Sequence, residues 1–246
     1  MNSLFVEKHL QVLKSCKDDY EWDGGAVKRF AKNLLASRVD LPPSFENHLT
    51  NLEILPDRVS KTQLNELISG DLDPVLKVVS ILAWGGMHKG NCIKALKTYF
   101  SDWEVVINKM ISGEFSRYEA YERFYTLRIQ GKLIGMGPAY FTKLIFFLEQ
   151  KHNGYIMDQW TGRSMNLLMA TDENQIHLYP NPTRSRFYVH VKKNDVNIYK
   201  AFCENLEALA KEIGRHSSET EMLIFSKGKK GNEEYGDWRK YVIENG

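Results

Sequence analysis

Cysteine, net charge and long apolar runs are all scarce in this chain of 246 residues. Its three cysteines, Cys16, Cys92 and Cys203, lie far apart, and none belongs to a Cys-x-x-Cys or Cys-x-x-His pair. That spacing argues against a disulfide scaffold and against structural zinc. An iron–sulfur cluster needs four thiolates and is excluded. A net charge of +2 is too small for a polybasic coat protein, so any nucleic-acid contact has to be a local patch. No eighteen successive residues are apolar, and the segment from Met1 to Lys8 lacks the apolar stretch of a signal peptide. A cytoplasmic protein with no membrane contact, and a monomer, is the expectation.

What is present is enough apolar residue to build a core, 43% of the chain. Most segments predict helix. Asp23 is placed to cap a helix through Gly25–Ala36, with Val27, Phe30, Ala31, Leu34 and Leu35 on one face. Ser60 with Gln63 and Ser116 with Glu119 read as capping boxes, and so does Ser218 with Glu221. Asp73-Pro74 opens another helix, which glycines should stop after Trp84. A further helix is expected from about Asn91 to Phe100, and a long one from about Asp195 to Gly214. Tyr179 to Thr183 reads as loop by composition. Phe187 to Val191 fits a short strand or a helix start, and Ser226 to Gly231 reads as a basic loop. The fold class is therefore all-α.

The most informative stretch is Leu133-Ile134-Gly135-Met136-Gly137-Pro138, followed by Asp158 in Tyr155-Ile156-Met157-Asp158. Two glycines with apolar neighbours predict a tight turn between helices, because glycine enters the left-handed region at little cost. Pro138 stands where proline best starts a helix. Amides in such a turn suit one phosphate of a nucleic-acid backbone. Asp158 sits ahead of a predicted helix from Thr161 to Leu168, where aspartate is a favoured N-cap.

Residues 115–170 resemble the helix-hairpin-helix (HhH-GPD) DNA glycosylase superfamily, in a bacterial group with an 8-oxoguanine-glycosylase-like fold. In that family an apolar-Gly-apolar-Gly hairpin grips DNA, and an aspartate about twenty residues later sits in the active site. Here Asp158 follows Gly137 by 21 positions. The resemblance implies a single two-lobed helical domain over residues 1–246 with a DNA-binding cleft. Its helix-hairpin-helix would span about 129–150, and its catalytic loop and helix 155–168. It implies an enzyme that flips a modified base of double-stranded DNA and hydrolyses its bond to deoxyribose, leaving an abasic site. It names no cofactor, apart from allowing a monovalent cation at the hairpin. Related glycosylases act in defence against phages, which suggests glucosylated hydroxymethylcytosine as the base; 8-oxoguanine repair is the alternative. Bifunctional members carry a lysine two residues after the second glycine. This chain has Ala139 there, which points to a monofunctional enzyme, while Lys143 lies one helical turn further on the same face.

Around this pair the sequence offers further candidates. Asp158 and Lys143 are the catalytic pair. Gly135, Gly137 and Lys132 belong to the expected DNA grip. Trp84-Gly85-Gly86-Met87-His88-Lys89-Gly90-Asn91 reads as a polar loop between helices, with Met87 or His88 as the wedge and Lys89 and Asn91 on phosphates. Gln159, Trp160, Phe141 and Trp84 are the candidates for a base pocket. Arg163 is expected to contact DNA or, in preference, to pair with a carboxylate, and the lysines of 227–230 to be solvated or to touch backbone. Two other readings remain: a helix-hairpin-helix module that binds DNA without chemistry, and a helical interaction protein that ignores DNA.

Overall fold

A computed structural model describes residues 4–16, 24–37, 52–97, 100–149, 151, 153–181, 187–226 and 235–246. Among them are twelve α-helices and one two-stranded ribbon, in agreement with the all-α class. The chain divides into two compact units, one built from residues 23–154 and the other from 1–22 together with 155–246.

The continuous unit holds α2 (Val27–Leu35), a 3-10 turn (Leu52–Ile54), α3 (Lys61–Ser69), α4 (Pro74–Trp84), α5 (Lys89–Lys97), α6 (Phe100–Ile111), α7 (Arg117–Ile129) and α8 (Pro138–Leu148). Its centre is the pair α4 and α8, which pack on each other. Both are apolar nearly all round: Val75, Leu76, Val78, Val79, Ile81 and Leu82 are buried on α4, and Phe141, Leu144, Ile145 and Phe147 on α8. Each such side chain contributes roughly 1.5–3 kcal/mol by leaving water. The predicted start signals act where expected. Ser60 and Ser116 complete capping boxes with Gln63 and Glu119, and Asp73 caps α4 ahead of Pro74.

Two elements differ from the sequence expectation. α2 begins at Val27 and not at Gly25, because the preceding glycines are used for close packing. A Cβ on Gly24 would fall 2.1 Å from Trp84 Cδ1, and one on Gly25 would fall 2.2 Å from the Ala83 carbonyl oxygen. Asp23, the expected cap, lies outside the described residues. α5 begins at Lys89, two residues early, because His88 starts it: its ring Nδ1 accepts from the Gly90 amide, and its carbonyl from Asn91 and Cys92. The described residues of α5 run to Lys97, and Phe100 belongs to α6.

The discontinuous unit holds α1 (Glu7–Ser15), α9 (Gln159–Leu168), β1 (Leu178–Pro180), β2 (Phe187–Val189), α10 (Val196–Ile213), α11 (Ser217–Phe225) and α12 (Asp237–Asn245). α9 is its hub, touching α1, α10, α11, α12 and both strands. The N-terminal segment joins it by main-chain bonds, Val6 N to Leu168 O at 2.8 Å and Ala170 N to Leu4 O at 3.0 Å. α10 runs as expected from its Asp195 cap to Gly214, whose φ of +69° closes the helix in the left-handed conformation. Tyr179 and Pro180 form strand and not loop, and Phe187 resolves to strand. The capping box expected at Ser218 and Glu221 is instead His216 with Glu219, two residues earlier. Glu221 is unavailable for capping, since its buried carboxylate accepts from the Ile156 amide at 2.6 Å.

Candidate active site

The helical hairpin between α7 and α8 is built from two different turns. α7 closes in a Schellman motif: Gly131 takes φ +76°, its amide donates to Arg128 O, and Lys132 N donates to Leu127 O at 2.8 Å. Gly131 follows a run of helical periodicity, where glycine is a stop signal legible in the sequence. Leu133 and Met136 then point into the core, while Ile134 is 40% exposed. Of the two motif glycines, only Gly135 needs the left-handed region, at φ +84°. A Cβ there would also meet Asn91 O at 2.5 Å, so the turn packs against the first turn of α5. Gly137 is extended, φ −126°, and serves as the N-cap ahead of Pro138. Among the described residues no acceptor takes the amides of Ile134, Gly135, Met136 or Gly137.

Lys143 lies 6% exposed on α8, with its stem across Gly85, where a Cβ would come 2.7 Å from Lys143 Cδ. Its ammonium donates to the Ala139 carbonyl at 2.7 Å and sits 5.7 Å from the Tyr140 ring. The amine therefore folds back one helical turn onto the main chain of Ala139. Tyr140 reaches the Gly86 carbonyl at 3.5 Å. Three segments predicted separately, the hairpin, the start of α8 and the turn at Gly85–His88, are thus one surface of this unit.

Several expected contacts are corrected here. Met87 is 4% exposed, held by a bond from its amide to Leu82 O, so it is core and no wedge. Phe141 is fully buried between Tyr121 and Phe124, and Trp84 packs edge-on to Phe147, so both side chains belong to the core of this unit. Lys89, Gly90 and Asn91 are helical, which shrinks the expected loop to Gly85–His88. His88 is exposed, and Lys89 donates to the Ser37 hydroxyl at 3.2 Å. Lys132 pairs with Asp102 at 3.0 Å. Both partners are partly exposed, so the pair is worth no more than about 1 kcal/mol and a phosphate can compete for the lysine.

Asp158 belongs to the other unit and is 9% exposed. Its Oδ1 accepts from the Trp160 and Thr161 amides at 2.8 and 3.2 Å, and the Thr161 hydroxyl accepts from the Asp158 amide at 3.0 Å. The same hydroxyl donates to Ile156 O at 2.8 Å. The segment before it is clamped as well: the Tyr199 hydroxyl bonds both the amide and the carbonyl of Tyr155, and Glu221 holds Ile156 N. Two elements distant in sequence thereby fix the backbone from which the carboxylate extends. No short-range pattern announced Tyr199 or Glu221.

Beyond the cap, Gln159 Oε1 accepts from Phe187 N at 2.8 Å, which fastens β2 to α9. Trp160 is half-buried, with the guanidinium of Arg239 4.3 Å from its ring centroid and that of Arg163 at 5.3 Å. Arg239, almost fully buried, also donates through Nε and Nη2 to Phe225 O. Arg163 donates to the Val242 carbonyl and to a main-chain oxygen of Gly246, and burial lowers its pKa. The lysines of 227–230 lie outside the described residues. No helix among the described residues is long and apolar enough to cross a membrane.

The family described as "Putative 8-oxoguanine DNA glycosylase OGG-like protein" matches residues 28–225, and the chain belongs to it. Nothing among the curated proteins and nothing among the solved structures matches the chain.

Proposed function

We propose that this DNA glycosylase is monofunctional and that Asp158 is its catalytic carboxylate. As the N-glycosidic bond breaks, its electron pair leaves with the base and the sugar carbon becomes cationic. A carboxylate stabilises that charge and takes a proton from the water whose oxygen adds to the same carbon, and that proton is returned through solvent to the departed base. The products are a free base and an abasic deoxyribose. The observation that carries the reading is the clamping of Tyr155 to Asp158 by Tyr199, Glu221 and Thr161, in a chain of a glycosylase family. Catalytic groups need such fixed backbones, because misplacement by about 1 Å can cost a factor of 10² in rate. The hairpin amides of Ile134 to Gly137 are assigned to a backbone phosphate, with Lys132, Lys89 and Asn91 alongside. The turn's carbonyl oxygens are the right donors for a monovalent cation, which would add positive charge for that phosphate. His88 is the wedge candidate that remains exposed, and Trp160 and Gln159 the remaining candidates for contact with the base.

The family description supports an oxidised guanine as the base. The alternative, a glucosylated hydroxymethylcytosine of phage DNA, rests on resemblance alone. Release of free base from an 8-oxoguanine duplex and from T-even phage DNA, followed by mass spectrometry, decides between them. Asp158→Asn keeps an oxygen that can cap α9. We expect it to lose about 10²–10⁴-fold in release rate while DNA affinity holds. Unchanged release would remove Asp158 from the mechanism; no release by wild type from any modified DNA would leave a non-enzymatic DNA-binding module. Borohydride should trap no covalent complex, and a trapped band that disappears in Lys143→Ala would replace hydrolysis by lyase chemistry.

A further inference from the structure

The β-ribbon carries a surface that base excision leaves unused. Its register pairs Tyr179 with Tyr188, flanked by Leu178 with Val189 and Pro180 with Phe187. Side chains alternate across a strand, so the ribbon has two faces. One faces α9: Val189 is buried, and a Cβ on Gly162 would lie 3.4 Å from Leu178 Cδ2. The other holds Tyr179 and Tyr188 directly opposite each other, with His177 and His190 one ladder step on, joined by a bond from His190 N to His177 O at 2.8 Å.

This second face is aromatic, exposed and ordered. Tyr179 and Tyr188 are 44% and 46% exposed, their ring centroids 5.4 Å apart. Tyr179 meets the His190 ring edge-on at 5.7 Å, and the Asn181 amide donates to the Tyr188 hydroxyl at 2.7 Å. His190 Nδ1 is buried with no hydrogen-bond partner among the described residues. Lys192 and Lys193 stand exposed on the turn just beyond β2. The sequence carries a trace of this design: Tyr188, His190 and Lys192 alternate with Val189 and Val191.

Flat rings held in place by a ladder, with cations beside them, match the chemistry of unpaired nucleotides. Bases stack on aromatic side chains, and lysines draw in the phosphates between them. A duplex hides its base faces within its own stack; an unpaired stretch offers them. We propose that this face of the ribbon binds a short unpaired segment of DNA, with Tyr179 and Tyr188 stacking on bases and Lys192 and Lys193 near the backbone. The proposal takes its ligand class from the DNA-directed reading above and adds a second contact, anchored on the helix that Asp158 caps.

Fluorescence anisotropy with a labelled oligothymidylate of about sixteen nucleotides tests it. Wild-type protein should bind it more weakly as salt rises. The Tyr179→Ala/Tyr188→Ala double variant should lose about tenfold or more, and Lys193→Glu should flatten the salt dependence. The matching double Phe variant should keep the affinity, and a blunt, fully paired duplex should bind all variants alike. Equal affinity of folded wild type and alanine variant for oligothymidylate, or no salt-dependent binding by wild type, overturns the proposal. Base release from blunt modified duplex is measured in parallel. Its absence beside intact oligothymidylate binding removes the glycosylase reading alone, and the reverse pair of results removes the ribbon proposal alone.

Discussion

At the scale of single residues, the glycines of the hairpin divide by what each one does. Gly135 combines φ +84° with an approach to the Asn91 backbone that leaves no room for a methyl group. Gly131 shares the left-handed conformation but faces open space. Gly137 has an extended backbone that any residue adopts. Alanine should therefore destabilise in the order Gly135, Gly131, Gly137. The first should cost on the order of 1–3 kcal/mol, the second about 1 kcal/mol, and the third least. Urea melts of the three variants check the ranking, and a Gly137 variant worse than Gly135 would contradict it. The sequence showed that a pinched turn stood here, because Gly-Met-Gly-Pro has few other uses. It could not show which glycine carried the strain, since that depends on Asn91, 44 positions earlier.

At the scale of elements, helix starts were the most legible feature. A cap is a local chemical arrangement, and Ser60, Asp73, Ser116, Asp158 and Asp195 all act within three residues of themselves. The failures arose where a side chain had a distant use. Glu221 looked like the far half of a box and instead holds Ile156; Met87 looked like loop and is core. Glu221→Leu would leave a buried amide without an acceptor, at about 1–3 kcal/mol. Glu221→Gln keeps an oxygen in place and should melt close to wild type. Base release should follow the same order, because the segment that loses its anchor leads directly into Asp158.

At the scale of the molecule, all three cysteines are buried. Burial pushes the Cys92 thiol up to about 12, so it stays protonated through the physiological range. Ellman's reagent should react with none of the three quickly in native protein and with all three in denaturant; fast labelling of Cys92 would show a far looser core. The wide cysteine spacing was readable from the start, and two lobes were expected, but the pairing of residues 1–22 with 155–246 was not, because helical periodicity says nothing about which helices meet. One of those meetings has a consequence for biosynthesis. On the ribosome α1 emerges early, yet its strand-like lead-in must wait for Leu168 and Ala170, while residues 23–154 can condense as they appear. Nascent chains stalled short of Ala170 should thus expose a protease-sensitive leader ahead of a resistant helical body.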